Sequence, residues 1–521
     1  MNGPVAAHGS RLAVAALALT VLALALPIQP LEMGCAETST YALVRSLGDG
    51  TPRIDAYERE TCDKALRGGH FFSSKAPGLA VTILPLYVAL HATGLLPGNE
   101  RTALWMLGLW SAVLPAAVML ILVRRIANRF EAGTGTLVAV TLGLATLTLP
   151  LVTLDFGHAL AATLLVAAFA IALTERHAEG RPLLLLAAGA LAGFAVTTEY
   201  PAALIATVIG IYSAAATRPV RRLLAFGAGG LVGVGPLLLY NQWAFGSATS
   251  LSYTSAVSSE TVEGAVTVGQ HNPGFYGVLT PSLSAAVRLL LADRGLLAVT
   301  PIMALGVVGL ILLARRGMRA EAWAIAAIVV AMLVYNASLT ISPGWVFGGD
   351  SPGPRYFYLA IPFAILPLGL VFREAPAVVV ALVAVSLVRM TMATSTQPLV
   401  GGEGTGRWIA RLQSGDFAGT VFSLLGLGHG WIAIAPFLLV VGLAAAAAAA
   451  TAPLDPARWS IAAFIATAGA WAFVEVVGSN VTTTTGTLAA TVALAALAAG
   501  CTMVVASVQR PRQPNDMGMP R

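Results

Sequence analysis

The chain has 521 residues, of which 57% are hydrophobic and only 10% are charged, and its mean hydropathy is +0.80. Apolar runs near the roughly 20 residues that cross a bilayer recur almost to its end, which excludes a soluble globular protein and predicts a polytopic membrane protein. The net charge of +6 comes mostly from arginines in short loops between these runs, where positive charge sets orientation, so it does not indicate a nucleic-acid partner.

The first apolar run, residues 11–30, is followed by no clean cleavage site, so we predict a retained membrane span rather than a signal peptide. The long polar segment after it holds both lysines of the chain, Lys64 and Lys75, among 30 basic residues. It also holds Cys35 and Cys62. A disulfide between them suits an extracytoplasmic loop, and two unpaired thiols are the alternative.

The segment 76–96 decides the topology. It is long enough to span, but it contains two prolines and two glycines. If it spanned, the arginine-rich loops near 124–129, 218–222 and 315–319 would all lie outside, against the positive-inside tendency. We therefore predict a re-entrant or interfacial helix on the outer face, with both termini cytoplasmic.

The predicted spans, about 13 to 14 in number, are 11–30, 103–123, 134–153, 159–174, 182–197, 201–216, 222–241, 295–314, 320–340, 357–372, 375–391, 428–451, 458–477 and 483–507.

Ionisable side chains near apolar spans are costly, so a cluster of them on one membrane face indicates a functional site. With this topology they gather on the outer face, in the first loop and at three later turns. The candidates are Glu37, Asp55, Asp63, His70 and Lys75 in the first loop, then Asp155 and His158, Glu199 and Tyr200, and Asp350 and Arg355. We expect these four segments to converge on one outer cavity.

Several candidates also have a purely structural interpretation. Asp55 and Asp63 could cap helices. His158 could be a core histidine, although Asp155 lies three residues earlier on the same helical face. Glu199 could pair with an arginine of a neighbouring turn, because an unpaired carboxylate between apolar runs is expensive.

The charged residues in the first loop also have a functional or a purely structural interpretation. Lys75 opens the apolar helix, where it could bind a lipid phosphate or only anchor the helix at the membrane surface. We expect Glu58, Arg59 and Glu60 to be solvated loop charges, and Lys64 has no predicted role.

Three segments carry a recognisable order of residues: an acid after the first span, an aromatic-rich lysine segment that opens a helix, and an acid at the next outer turn. They are ETSTYALVRSL from Glu37, GGHFFSSKAPGLAVTILPLY around Lys75 and LDFGHALAATL around Asp155. This order resembles the glycosyltransferase C superfamily, and within it the aminoarabinose and protein mannosyl transferases that use polyprenyl-phosphate sugars.

Further segments extend the resemblance over residues 31–370, towards a group of bacterial membrane proteins distantly related to those transferases. They are RID, CDKALRGGHFFSSKAPG, FGHALAA, TEYPAALIA, YNQWAFG and GGDSPGPRYFYLAIPF.

The resemblance implies an all-α, polytopic fold of glycosyltransferase C type. Residues 1–370 would form the transferase-like transmembrane module, with its first extracytoplasmic loop at 31–102 and the interfacial helix at 76–96. Residues 371–521 would add C-terminal transmembrane helices. The implied reaction transfers a sugar from a polyprenyl-phosphate donor, among membrane lipids, to a hydroxyl of an envelope glycan, lipid or protein outside a bacterial inner membrane.

A carboxylate would accept the proton of that hydroxyl. Glu37 stands where the superfamily has Asp, and the second acidic position of its motif is missing here. The base therefore stays open between Glu37, Asp55 and Asp63, with Asp155 positioning the acceptor or the base.

Lys75, with Arg355 or His70 beside it, would bind the donor phosphate. The pattern requires no cofactor, although a divalent metal held by Asp155 and His158 is an alternative. A transporter or flippase of lipid-linked saccharides, which should show inverted repeats, and a non-catalytic membrane scaffold are the other interpretations.

Overall fold

The computed structural model describes residues 4–28, 34–154, 157–178, 180–262, 265–271, 278–340, 345–401, 404–455 and 458–478. The predicted last span at 483–507 and the candidate Asp155 lie outside these residues. The described chain is helical, as predicted, apart from one small sheet.

The first helices occupy the first predicted span, the loop after it and the segments predicted as the next three spans. They are α1 (Pro4–Ala25), α2 (Cys35–Gly48), α3 (Gly78–Ala92), α4 (Glu100–Gly108), α5 (Leu114–Phe130), α6 (Gly135–Leu144), α7 (Thr148–Thr153) and α8 (His158–Arg176).

The middle of the chain continues with three helices, then a bent segment and a further helix. Its helices are α9 (Pro182–Thr198), α10 (Ala202–Ala214), α11 (Pro219–Phe245), α12 (Leu283–Leu291), α13 (Leu296–Val299), α14 (Leu305–Arg315) and α15 (Arg319–Ala337).

The last described helices are α16 (Ile361–Ala364), α17 (Leu368–Glu374), α18 (Pro376–Ser395), α19 (Gly406–Ser414), α20 (Trp431–Thr451) and α21 (Ile461–Gly478).

Six helices of the described chain are long and apolar enough to cross a membrane. They are Glu100–Phe130, which joins α4 to α5 through a π-helical turn, and α8, α11, α15, α18 and α20. The number rises to eight if two bent pairs each count as one span, Leu283–Val299 with Pro301–Arg315 at 110° and Arg355–Ala364 with Leu368–Glu374 at 57°. The larger number predicted from the sequence also counts shorter apolar helices and residues 483–507.

Helix α3 occupies the segment for which we predicted an interfacial helix. It is only 15 residues long and packs mainly against α2, a helix of the first outer loop. Its first residue, Gly78, lies against the end of α9, where an added Cβ would be 2.6 Å from Thr198 Oγ1 and 2.7 Å from the Thr197 carbonyl oxygen. This close approach places the start of α3 at the outer end of α9.

Helices α9 and α11 pack backbone against backbone. A Cβ on Gly189 would overlap the carbonyl oxygen of Phe226, and a Cβ on Gly229 would overlap that of Leu186. Small residues permit this approach, and van der Waals packing then stabilises the pair within the membrane. The dispersed glycines of the sequence therefore mark a helix seam.

A four-stranded antiparallel sheet covers the outer loops, and the sequence did not predict it. Its strands are β1 (Lys64–Arg67), β2 (His70–Ser73), β3 (Ala256–Val262) and β4 (Ala265–His271), in the order β2-β1-β3-β4. Lys64 pairs with Ser73 in the hairpin and with Val257 across it. The sheet thus joins the first outer loop to the loop after α11.

Candidate functional site

The first outer loop is fastened to helix α2 by a disulfide. The structure joins Cys35, at the start of α2, to Cys62, and their Cα atoms are 5.2 Å apart. The Thr61 hydroxyl donates to the Cys35 carbonyl (2.8 Å), and the Ser39 hydroxyl donates to the Asp63 carbonyl (2.6 Å). Residues 61–63 therefore lie against the first turn of α2.

The two lysines have different environments. Lys64 is 1% exposed, and its ammonium lies 2.5 Å from Glu58 Oε2 and 5.0 Å from the centre of the Phe71 ring. The expectation of a solvated loop charge is wrong for Glu58, which binds this buried lysine. Arg59 and Glu60 are exposed, and Glu60 pairs with Arg45. A buried ammonium needs a counter-ion, which explains the pairing of Lys64.

A cleft-like cavity with about 440 Å³ of empty space, part of it open solvent, lies where the ends of several helices meet. Its wall is built from the first turn of α2, the start of α3, the α8 and α9 ends, and the segment before α16. The lining residues are Ala36, Thr40, Lys75, Ala76, Leu79, Gly157, His158, Thr198, Glu199, Tyr253, Arg355 and Tyr356. The cavity thus gathers Lys75, His158, Glu199 and Arg355, one candidate from each of the four segments.

Lys75 is held in place from its own loop. Its ammonium lies 2.6 Å from Asp63 Oδ2, and its backbone N–H donates to Ser73 Oγ (3.1 Å). The Ser73 hydroxyl is 2.7 Å from that of Ser39 on α2. Asp63 is therefore the counter-ion of the cavity lysine.

The residue before Lys75 is tied to the second outer loop. The Ser252 hydroxyl donates to the Ser74 carbonyl (2.8 Å) and lies 3.0 Å from the Tyr200 hydroxyl. Tyr200 also packs edge-on against Tyr253, with ring centres 4.7 Å apart. Tyr200 is thus a support behind the cavity, while Tyr253 lines it.

Arg355 brings a second positive charge to the cavity. Its guanidinium lies 5.4 Å from the centre of the Tyr356 ring. Gly348 lies next to it with φ of +87°, and an added Cβ there would be 2.6 Å from Arg355 Nε. Glycine is the residue that adopts this backbone conformation without strain, and only a residue without Cβ fits against the arginine.

His158 and Glu199 form a pair in the cavity wall. His158 Nδ1 lies 2.9 Å from Glu199 Oε1, and the histidine side chain is 4% exposed. The Tyr356 ring packs edge-on against His158, with ring centres 5.6 Å apart. Glu199 thus pairs with a histidine rather than with the arginine that was its structural alternative.

Glu37 lies on α2 between Ala36 and Thr40, and it is 2% exposed. Within the part of the chain that the structure describes, no other residue donates a hydrogen bond to either of its carboxyl oxygens. Burial raises the pKa of Glu37 from 4.5 to about 7; its own backbone amide and the charges of Arg355 and Lys75 lower it, and Asp63 raises it. A carboxyl group with this pKa can release and accept protons near neutral pH.

The structure does not place Asp55 or His70 among the cavity-lining residues. Asp55 Oδ2 lies 2.8 Å from His70 Nδ1, and Asp55 Oδ1 accepts a hydrogen bond from the Phe71 N–H (2.7 Å). Asp55 thus fastens strand β2 in the outer loop. Asp350 also lies apart from the lining, against Gly401, where an added Cβ would be 2.6 Å from its carboxylate.

Sequence reasoning missed four polar lining residues, Thr40, Thr198, Tyr253 and Tyr356. Tyr356 follows Arg355 directly, so the turn that gave one candidate contained the other. Nothing local marks Tyr253, which arrives from the second outer loop.

Among the residues that the structure describes, no group of three or more His, Cys, Asp and Glu side chains could hold a metal ion. His158, one half of the predicted metal pair, is engaged with Glu199. Its predicted partner Asp155 lies outside the described residues.

No protein-family model matches the chain, and a search of curated proteins finds no match. Two solved structures are similar to it. ArnT from Cupriavidus metallidurans bound to undecaprenyl phosphate is 15% identical, with a TM-score of 0.46 over 89% of this chain and 77% of that one. The oligosaccharyltransferase of Archaeoglobus fulgidus in the apo form is 12% identical, with a TM-score of 0.40 over 83% of this chain and 56% of that one. The chain is a multi-pass helical membrane protein.

Proposed function

We propose that the chain is a membrane glycosyltransferase that moves a sugar from a polyprenyl-phosphate donor to an acceptor hydroxyl on the outer face of a bacterial inner membrane. The observation that carries the proposal is the cavity itself. It combines two cations, Lys75 and Arg355, with a buried carboxyl group of neutral pKa, Glu37, directly behind its wall. The sequence resemblance to transferases that use such donors supports the same donor class.

The phosphate of the donor would lie between Lys75 and Arg355. Guanidinium and ammonium groups bind phosphate oxygens through short, charge-assisted hydrogen bonds. The apolar residues Ala76 and Leu79, at the start of α3, line the same cavity. A ligand with an anionic head and a hydrocarbon tail suits this combination, because the head meets the cations while the tail continues along apolar helix surface.

In the reaction the acceptor oxygen attacks the anomeric carbon and the bond from that carbon to the phosphate oxygen breaks. The phosphate leaves with the electron pair, so negative charge develops beside Lys75 and Arg355, which stabilise it. The acceptor proton passes to Glu37, or to His158 held by Glu199. A buried carboxyl of neutral pKa suits this role better than a solvated one such as Asp55.

The acceptor would be an envelope glycan, lipid or protein, because the cavity opens among the predicted extracytoplasmic loops. The His158–Glu199 pair and the rings of Tyr253 and Tyr356 offer polar and stacking contacts for a sugar or an acceptor hydroxyl.

The test is turnover by the purified full chain in lipid nanodiscs. Radiolabelled polyprenyl-phosphate mannose, glucose, arabinose and aminoarabinose are offered in turn, and the release of polyprenyl phosphate is measured. We expect one donor to be consumed, and Lys75→Met to abolish its consumption. Arg59→Ala is the matched control, because Arg59 is a cation of the same loop that is 91% exposed.

Binding of undecaprenyl phosphate separates the remaining outcomes. If the chain binds it through Lys75 but consumes no donor, the protein is a non-catalytic binder of the lipid. If Lys75→Met leaves both binding and turnover unchanged, the phosphate site is elsewhere and the proposal is refuted.

A further inference from the structure

Both cysteines of the disulfide are next in sequence to residues at the proposed donor site. Cys35 opens α2 and stands two residues before Glu37. Cys62 stands directly before Asp63, whose carboxylate lies 2.6 Å from the Lys75 ammonium. One covalent bond therefore fixes the segment that carries the lysine's counter-ion against the helix that carries the buried carboxyl.

Hydrogen bonds near the disulfide also hold the segment that carries Asp63. Ser39, one turn after Cys35, donates to the Asp63 carbonyl, and the Ser74 N–H donates to the same carbonyl at 3.3 Å. The Asp63 N–H donates to Thr61 Oγ1 (3.1 Å). The backbone of Asp63 is thus held on both sides, which aims its carboxylate at Lys75.

We infer that the Cys35–Cys62 disulfide is a positioning element of the donor site, which holds Lys75 through Asp63 and makes donor affinity depend on the oxidation state of the chain. This inference rests on the proposed function. Without the bond, the hydrogen bonds from residues 61–63 to α2 remain, each of which contributes about 1 kcal/mol. Donor binding must then also order this segment, and that cost lowers affinity.

The Cys35–Cys62 disulfide can be reduced by a dithiol reagent. A dithiol transfers two electrons and two protons to the bond, becomes a cyclic disulfide itself, and leaves Cys35 and Cys62 as thiols. The only other cysteine, Cys501, is far away in sequence, in the last predicted span. It provides a matched control.

The experiment measures the affinity of the full chain in nanodiscs for undecaprenyl phosphate, before and after dithiothreitol, with mass spectrometry to verify cleavage. We expect affinity to fall about tenfold on reduction and to return on reoxidation. The double variant Cys35→Ser/Cys62→Ser should bind as weakly as the reduced chain and no longer respond to dithiothreitol. Cys501→Ala should respond like the wild type.

A double-mutant cycle separates positioning from general loosening of the fold. In the Lys75→Met background, where binding depends on Arg355, reduction should have no further effect. A tenfold loss in that background as well would overturn the inference, because the bond would then not act through Lys75.

The two proposals can fail separately. If verified reduction leaves the affinity unchanged while Lys75→Met still weakens it, the positioning role is refuted and the proposed function stands. If the oxidised chain does not bind undecaprenyl phosphate at all, both are refuted.

Discussion

The carboxylate of Asp63 lies 2.6 Å from the ammonium of Lys75, so the lysine that lines the cavity has a counter-ion from its own loop. An ammonium has three N–H donors, which allows it to contact this carboxylate and a phosphate oxygen together. Glu37 is sensitive to both charges, because Asp63 raises its pKa and Lys75 lowers it. The direction in which each of these two charges shifts the pKa of Glu37 is therefore known.

The first prediction concerns the pH profile of turnover. If Glu37 is the proton acceptor, activity should rise with pH through about 7, as its carboxyl group becomes ionised. Glu37→Gln should lower kcat by about 10²- to 10⁴-fold and remove this rise, which initial rates between pH 5 and 9 would show. A rise that persists in the variant would mean that a group other than Glu37 accepts the proton.

The second prediction concerns stability. The pKa of Glu37 is about 7 in the folded chain and 4.5 as its ordinary value. Between these values the folded state binds a proton that the unfolded state has lost, so stability falls as pH rises. Glu37→Gln should therefore have little effect at pH 4.5 and should stabilise by up to about 3 kcal/mol at pH 8. Thermal unfolding in detergent checks this, and an equal gain at both pH values would contradict it.

The third prediction concerns the buried pair of Glu58 and Lys64. Glu58→Gln should destabilise the outer hairpin by about 3 kcal/mol, because it leaves a buried ammonium without its counter-ion. Lys64→Met removes the charge and keeps the length of the side chain, so it should cost less. Hydrogen exchange in β1 and β2 reports the difference, with Arg59→Ala as an exposed control. A larger loss from Lys64→Met would show that the ion pair itself stabilises the hairpin.

The fourth prediction concerns the seam between α9 and α11. Gly229→Ala should lower the folded yield and cost about 3 kcal/mol or more, since the new methyl would meet the Leu186 carbonyl. Gly235→Ala on the same helix meets nothing within 4 Å and is the control. Size-exclusion profiles and melting temperatures of the two variants provide the comparison. Equal behaviour would mean that the helices can separate at no cost.

Local patterns explain what could be predicted from the sequence. Apolar runs and arginine-rich loops located most of the helices, and a polar residue next to an apolar run singled out Lys75, His158, Glu199 and Arg355. These signals are local because the cost of placing charge near a bilayer acts on each residue separately. The roles of these residues in a reaction stay predictions.

Tertiary contacts explain what could not be predicted. Both lysines lie in polar sequence, and only the packing of Glu58 and Phe71 distinguishes buried Lys64 from the cavity lysine. Tyr253 joins the wall because β1 pairs with β3, and short strands so far apart in sequence carry no joint pattern. The neutral pKa of Glu37 likewise arises from burial, which its helix alone does not reveal.

The pairing of Lys64 with Val257 also has a consequence for biosynthesis. Strand β1 is made early in translation, whereas β3 follows only after every helix from α3 to α11 has been made. In the interval the β1–β2 hairpin is a two-stranded ribbon with an open edge, which is marginally stable and prone to mispairing. The first loop thus lacks this partner strand until the ribosome has made about half of the chain.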